Sequence, residues 1–178
     1  KEEVKLIKER CPNIDILSVN AYAGLSDLSQ MLDEFGWQGP YVLGEWGTHG
    51  HWEVQRTSWD APIEFTSKRK AELYKKEYEY ITSDPQCLGG YVFLWGAKQE
   101  RTPTWYSMFL PNGAKTQAVD VMHYLWKGKW PQNRAPILDS LRIDGKSAYS
   151  NIILAPNSIH EAQVWARDPD NDKLTIEW

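Results

Sequence analysis

Glu45 is the residue whose type and position could do chemistry. It ends the apolar stretch Tyr41-Val42-Leu43-Gly44-Glu45-Trp46, between a glycine and a tryptophan. A carboxylate at the tip of a buried strand is costly unless it is paired or used. Two readings fit: a structural ion pair or solvated strand end, and a functional carboxylate. The following loop carries His49 and His51, which could contact a substrate. A metal site would want further ligands and an element to hold them, so no metal is expected there. Trp46, Trp52, Trp59 and Trp105 fall on loops of the same side, where each either lines a site or packs its loop. Asp168, Asp170, Asn171 and Asp172 crowd one turn. Oxygen ligands of this kind can bind calcium, but the glycine and distal glutamate of an EF-hand are not in place, and a solvated β-turn is the simpler reading.

The elements that would position these residues alternate. A helix over Val4 to Arg10 stops at Cys11-Pro12-Asn13. Ile14 to Asn20 is β-branched and mostly apolar, as a buried strand is. Leu28, Met31, Leu32 and Phe35 recur at helical spacing, with Ser26 as the expected cap and Gly36 as the stop. The strand ending in Glu45 comes next, and then a long loop. A helix capped by Thr66 or Ser67 shows Ala71, Tyr74, Tyr78 and Ile81 on one face and Lys and Glu residues on the other. On that pattern Lys68-Arg69-Lys70 and Lys75-Lys76 form its wet face. The helix ends at Ser83-Asp84-Pro85, a third strand is expected over Leu88 to Trp95, and a last helix runs from about Thr116 to Trp126. This order implies a parallel α/β sheet with right-handed crossovers. Functional groups of such folds gather at the C-terminal ends of the strands, which selects Asn20 and Tyr22, Glu45 and Trp46, and Trp95.

Composition bounds the rest. The chain has 178 residues and a net charge of −4, which argues against a nucleic-acid partner, since phosphate binding wants a basic face. No apolar run is long enough to cross a bilayer. Ten Trp and nine Tyr stand out. Most of them are expected to fill a core, yet sugars present flat C–H faces that stack on aromatic rings. Cys11 and Cys87 make neither a disulfide framework nor a metal site and are expected to be buried free thiols. At residues 131–136 the texture changes to a proline-bounded linker, and short alternating segments follow: Ile137 to Ile143, Ser150 to Leu154, Ala162 to Ala166 and Leu174 to Trp178. Regular short strands with turns between them suggest a sandwich. Three parallel strands cannot close a barrel, so either more of a barrel is expected upstream or residues 1–130 are a small open α/β domain.

The stretch Gly39-Pro-Tyr-Val-Leu-Gly-Glu-Trp-Gly47 resembles the seventh-strand motif of retaining (β/α)8-barrel glycoside hydrolases, families 2 and 5 among them. Ile14 to Tyr22 is similar to their sixth strand and Leu88 to Trp95 to their eighth. The Asn133-Arg-Ala-Pro linker and Ala166-Arg-Asp-Pro-Asp-Asn-Asp-Lys resemble immunoglobulin-like modules appended to secreted bacterial glycosidases. The resemblance implies an α/β fold made of half a TIM barrel, strands six to eight with their helices, over residues 1–130. A linker at 131–136 would lead into part of a β-sandwich at 137–178. It implies a secreted or periplasmic enzyme hydrolysing an oligo- or polysaccharide with β-linkages, with no cofactor. Glu45 would be the nucleophile, and a hydroxyl donor at Tyr22 would favour its charged form. Trp95 would floor the reacting sugar, with Asn20, Trp46, His49 and Trp105 around the substrate. The second carboxyl group, required about 5–5.5 Å from the first, would lie on a fourth strand outside these residues, so this stretch alone is expected to be inactive. Glu53, Glu64 and Glu100 are acids by type only. The same residues would serve a transglycosylase or a catalytically inactive carbohydrate-binding barrel.

Overall fold

The structure, a computed structural model, describes residues 2–178. Three strands, β1 (Leu17–Asn20), β2 (Tyr41–Trp46) and β3 (Cys87–Val92), form a parallel sheet in sequence order. Helices α1 (Glu2–Arg10), α2 (Leu28–Glu34), α3 (Ser67–Ser83) and α4 (Gln117–Lys127) fill the connections. The alternation expected from the sequence is therefore the fold: an α/β sheet with its helices.

Pairing sets where the strands begin and end. Leu17 N donates to Pro40 O at 3.2 Å, where β2 begins. Ile14 and Ile16, expected in the strand, precede that partner and stay 41% and 49% exposed. The third strand is also shorter than expected. Phe93 N still donates to Trp46 O, but Leu94 N turns away to Tyr106 O. The Phe93–Leu94 peptide is cis, and Trp95 lies outside the sheet.

The core lies between the sheet and the helices. Leu43 and Trp46 of β2 pack with Leu32, Tyr74, Met108 and Met122. Gly90 makes the approach possible: a Cβ there would come within 2.7 Å of Leu43 Cβ and 2.8 Å of Trp46 Cδ1. Helix α2 ends at Gly36, whose φ of +88° suits only glycine without strain. Its start differs from expectation, because a 3-10 turn over Leu25–Asp27 leads into it and Ser26 donates to Asp27 instead of capping. Thr66 Oγ1, by contrast, accepts from Arg69 N and caps α3. Cys11 is exposed and Cys87 half-buried, both free, so the expectation of two buried thiols is corrected. Cys11 follows the end of α1, and Cys87 is the first residue of β3, where the sheet begins.

Beyond the linker only one antiparallel pair forms, β4 (Ile137–Ile143) with β5 (Ala162–Arg167). The segments Ser150 to Leu154 and Leu174 to Trp178 are not strands. Ile153 and Ile159 stay 85% and 99% exposed, as apolar residues do when no second sheet faces them. The pair docks on α3 through Lys68 Nζ to Asp139 Oδ1 at 2.7 Å and Leu138 N to Ser67 Oγ at 3.4 Å. Asp120 of α4, fully buried, holds the linker by accepting from Lys115 Nζ and from Ala135 N at 2.5 Å.

Helix α3 corrects the expected wet face. Lys70 and Glu77 are buried together with Ala71, Tyr74 and Ile81. Burial first, and the charge of Glu53 second, push the Glu77 carboxyl up to about 9. Its Oε2 finds no hydrogen-bond partner among the described residues. An acid raised in the fold keeps full stability below the ordinary carboxyl range and loses it as pH rises through that range toward about 9, because the unfolded chain releases its proton first. Glu77→Gln is therefore expected to stabilise the protein by about 1–3 kcal/mol near pH 8 and by little near pH 4. Urea unfolding at the two pH values measures the difference, and equal effects at both would contradict it.

Candidate active site at the ends of the strands

Two parallel strands that end side by side bring their last residues together. A register shift at Val19/Asn20 sets Asn20 opposite Glu45, and Ala21 N donates to Glu45 O at 3.0 Å. The chain then turns so that Tyr22 Oη donates to Glu45 Oε2 at 2.7 Å. Burial first, then this hydrogen bond and the Glu45 charge, hold the Tyr22 phenol well above its ordinary range. It stays a protonated donor. Asn20 is the register partner of Glu45, and its Oδ1 lies 2.6 Å from where a Cβ on Gly44 would be.

An aromatic wall surrounds the pair. The Tyr22 ring meets Trp52 at 6.0 Å, Phe93 at 6.3 Å and Tyr106 at 5.8 Å. Phe93 is fixed from behind: fully buried Tyr74 donates to its carbonyl at 3.0 Å. Gly47 is pressed against both, since a Cβ there would fall 2.5 Å from Phe93 O and 3.2 Å from the Tyr74 hydroxyl. Glu53 Oε2 accepts from Gly50 N at 2.7 Å and Ala23 N at 3.3 Å, which ties the loop after β2 to the turn after β1.

The other sequence-selected residues are elsewhere. Trp46 is 1% exposed and packs on Tyr74 and Tyr78 of α3. Neighbouring residues of a strand face opposite sides, so Trp46 lies behind the sheet. Trp95 packs on Phe109 and Trp126, at 5.1 and 5.8 Å, because β3 has already ended; Phe93 stands against Tyr22 in its stead. The His49 ring lies against Phe65 at 5.4 Å, and burial lowers its proton affinity. Trp105 is 2% exposed and donates from Nε1 to His49 O at 3.1 Å, which makes it a pillar of the loops. The structure thus joins Glu45, Tyr22 and Asn20 with Trp52 of the four loop tryptophans, and adds Phe93 and Tyr106. Sequence reasoning missed Phe93 because it placed the strand end at Trp95, three residues late. Tyr106 carried no signal beyond lying in an aromatic loop.

The three acids named by type are engaged. Glu64 takes the buried Lys70 ammonium and the hydroxyls of Thr102 and Thr104, the latter at 2.8 Å. Glu53 is the loop tie, and Glu100 pairs with Lys98 at 2.7 Å. In the acidic turn, Asp168 Oδ1 accepts from Asp170 N and Asp172 N, while Asp170 accepts from Arg134 N. Those carboxylates close a turn, and no cluster of three metal-ligating side chains occurs among the described residues. No helix among the described residues is long and apolar enough to cross a membrane.

No protein-family model and no curated protein matches the chain. Solved structures do. A GH2 β-galacturonidase from Eisenbergiella tayi, bound to galacturonate, superposes with a TM-score of 0.50 at 16% identity over 72% of this chain. A β-glucuronidase from Ruminococcus gnavus gives 0.49 at 15% identity over 66%. The chain spans 30% of the first protein's length and 23% of the second's. At this identity the likeness to the galacturonidase is one of fold: a parallel sheet with its helices, arranged as in part of a glycoside hydrolase of family 2.

Proposed function

We propose that this chain is part of a retaining glycoside hydrolase acting on β-linked glycans, with Glu45 as the nucleophile. The observation that carries the reading is the Tyr22–Glu45 hydrogen bond of 2.7 Å, at the matching ends of adjacent parallel strands and inside an aromatic wall. The likeness of fold to a family 2 enzyme supports it. On this reading residues 1–130 supply strands six to eight of a (β/α)8 barrel, and residues 137–178 belong to an immunoglobulin-like module. Asn20 and Phe93 border the reacting sugar, and an oligo- or polysaccharide is the substrate.

The chemistry follows from the geometry. Tyr22 holds Oε2, so the carboxylate is oriented before the sugar arrives, and little reorganisation remains to be done in the transition state. A Glu45 oxygen bonds to the anomeric carbon as the glycosidic C–O bond breaks. The leaving oxygen takes its proton from a second carboxylic acid, contributed by a part of the barrel other than these three strands. Water then attacks the same carbon, gives its proton to that second residue and frees Glu45.

Glu45→Ala in the full-length polypeptide should lose about four orders of magnitude or more in hydrolysis. Azide should restore turnover of an activated aryl β-glycoside and yield the α-glycosyl azide, since the small anion fills the space left by the carboxylate. A β-glycosyl azide would instead mark Glu45 as the acid/base and overturn its assignment as nucleophile. Tyr22→Phe should lower kcat/KM by about ten- to a hundredfold, the cost of one hydrogen bond to a charged group, with the thermal midpoint little changed. An unchanged kcat/KM would leave the Tyr22 contact without a role.

A further inference from the structure

Four tryptophans on the loops were equal candidates in the sequence for contacting a glycan, and the structure separates them. Trp46 and Trp105 are buried in the packing. Trp59 lines a cavity of about 980 Å³ between α3 and the β4–β5 pair, with Phe65 and Tyr149, and not the space beside Glu45. Trp52 alone of the four combines exposure with the site: it is 59% exposed and its ring stands edge-to-face with Tyr22 at 6.0 Å and 89°.

Its mounting is rigid on the other sides. His51 packs edge-on at 4.9 Å. Gly50 lies directly against the indole, where a Cβ would come within 2.6 Å of Cε2 and Cζ2, so only glycine lets the ring settle there. The Gly50 amide is in turn held by Glu53, which also holds Ala23, the residue after Tyr22. A cavity of about 500 Å³ along β1 is lined at one end by Asn20, Tyr22, Trp52 and Glu53. A fixed, half-open indole next to a carboxylate partner offers a flat π surface to the C–H face of a sugar, as ligand sites do with aromatic walls.

We propose that Trp52 is the platform of an outer subsite, stacking on the pyranose ring joined to the sugar that reacts at Glu45. This rests on Glu45 being the nucleophile. On that placement the platform favours substrates of at least two sugar units.

The test compares two kinds of substrate in the full-length polypeptide: β-glycosyl fluorides of glucose, galactose and mannose, and the matching β-linked trisaccharides. The fluoride leaving group is too small to reach a second subsite. For the sugar that the wild type turns over, Trp52→Ala should lower the ratio of kcat/KM for trisaccharide over fluoride by about five- to tenfold, the size of one lost aromatic stacking contact. Trp52→Phe should keep most of that ratio. A ratio that stays level while both rates fall is the signature of loop packing and overturns the platform, leaving Glu45 as nucleophile untouched. Fluoride hydrolysis that survives Glu45→Ala removes the nucleophile reading, and the platform with it.

Discussion

Parallel strands end at one edge, and the hydrogen bond between Tyr22 and Glu45 exists because β1 and β2 end there one pair apart. Neither residue could make it alone. The register shift at Asn20 advances β1 so that Ala21 still bonds Glu45 O, and Tyr22 then swings its hydroxyl onto the carboxylate. Everything else near the site keeps that arrangement in place. Tyr74 pins the Phe93 carbonyl from behind, and Gly47 and Gly90 let β2 press against both α3 and β3 without a side chain between them.

The loops above the sheet are held by buried charge. Lys70, whose ammonium is destabilised by burial, is matched by Glu64, and Glu64 is satisfied by Thr102 and Thr104. This set joins the loop after β2 to the loop after β3. Removing one partner of such a pair leaves an uncompensated charge, which costs far more than the pair contributes. Asp120 does the same for the linker, with Lys115 and the Ala135 amide. The site is thus preorganised by polar contacts that lie outside it, while the apolar core beneath supplies the platform.

The order of elements was legible because helical and extended periodicities differ, and the ends of strands are where a parallel sheet exposes function. That logic reached Glu45, Tyr22 and Asn20. It failed at Trp46 and Trp95 for reasons that lie in the strands: Trp46 follows Glu45 and so faces the opposite side of β2, and β3 ends at Val92, three residues before Trp95. It failed at Lys70 and Glu77 for another. Lys70, Tyr74, Glu77 and Ile81 lie along a single stripe of α3, and position on the helix overrode the polarity of two of them. The β-sandwich segments at Ser150 to Leu154 and Leu174 to Trp178 alternate in sequence, but alternation makes a strand only where a neighbour accepts its hydrogen bonds. Trp52 shows the converse, since its value lies in what it leaves uncovered, and no pattern in the sequence records exposure.

Trapping the covalent intermediate tests the central claim most directly. The full-length polypeptide would be treated with a panel of 2-fluoro β-glycosyl inactivators, digested and mapped by mass spectrometry. The account predicts a single 2-fluoroglycosyl group on Glu45, released slowly as the intermediate turns over. A sugar on any other carboxylate would contradict it.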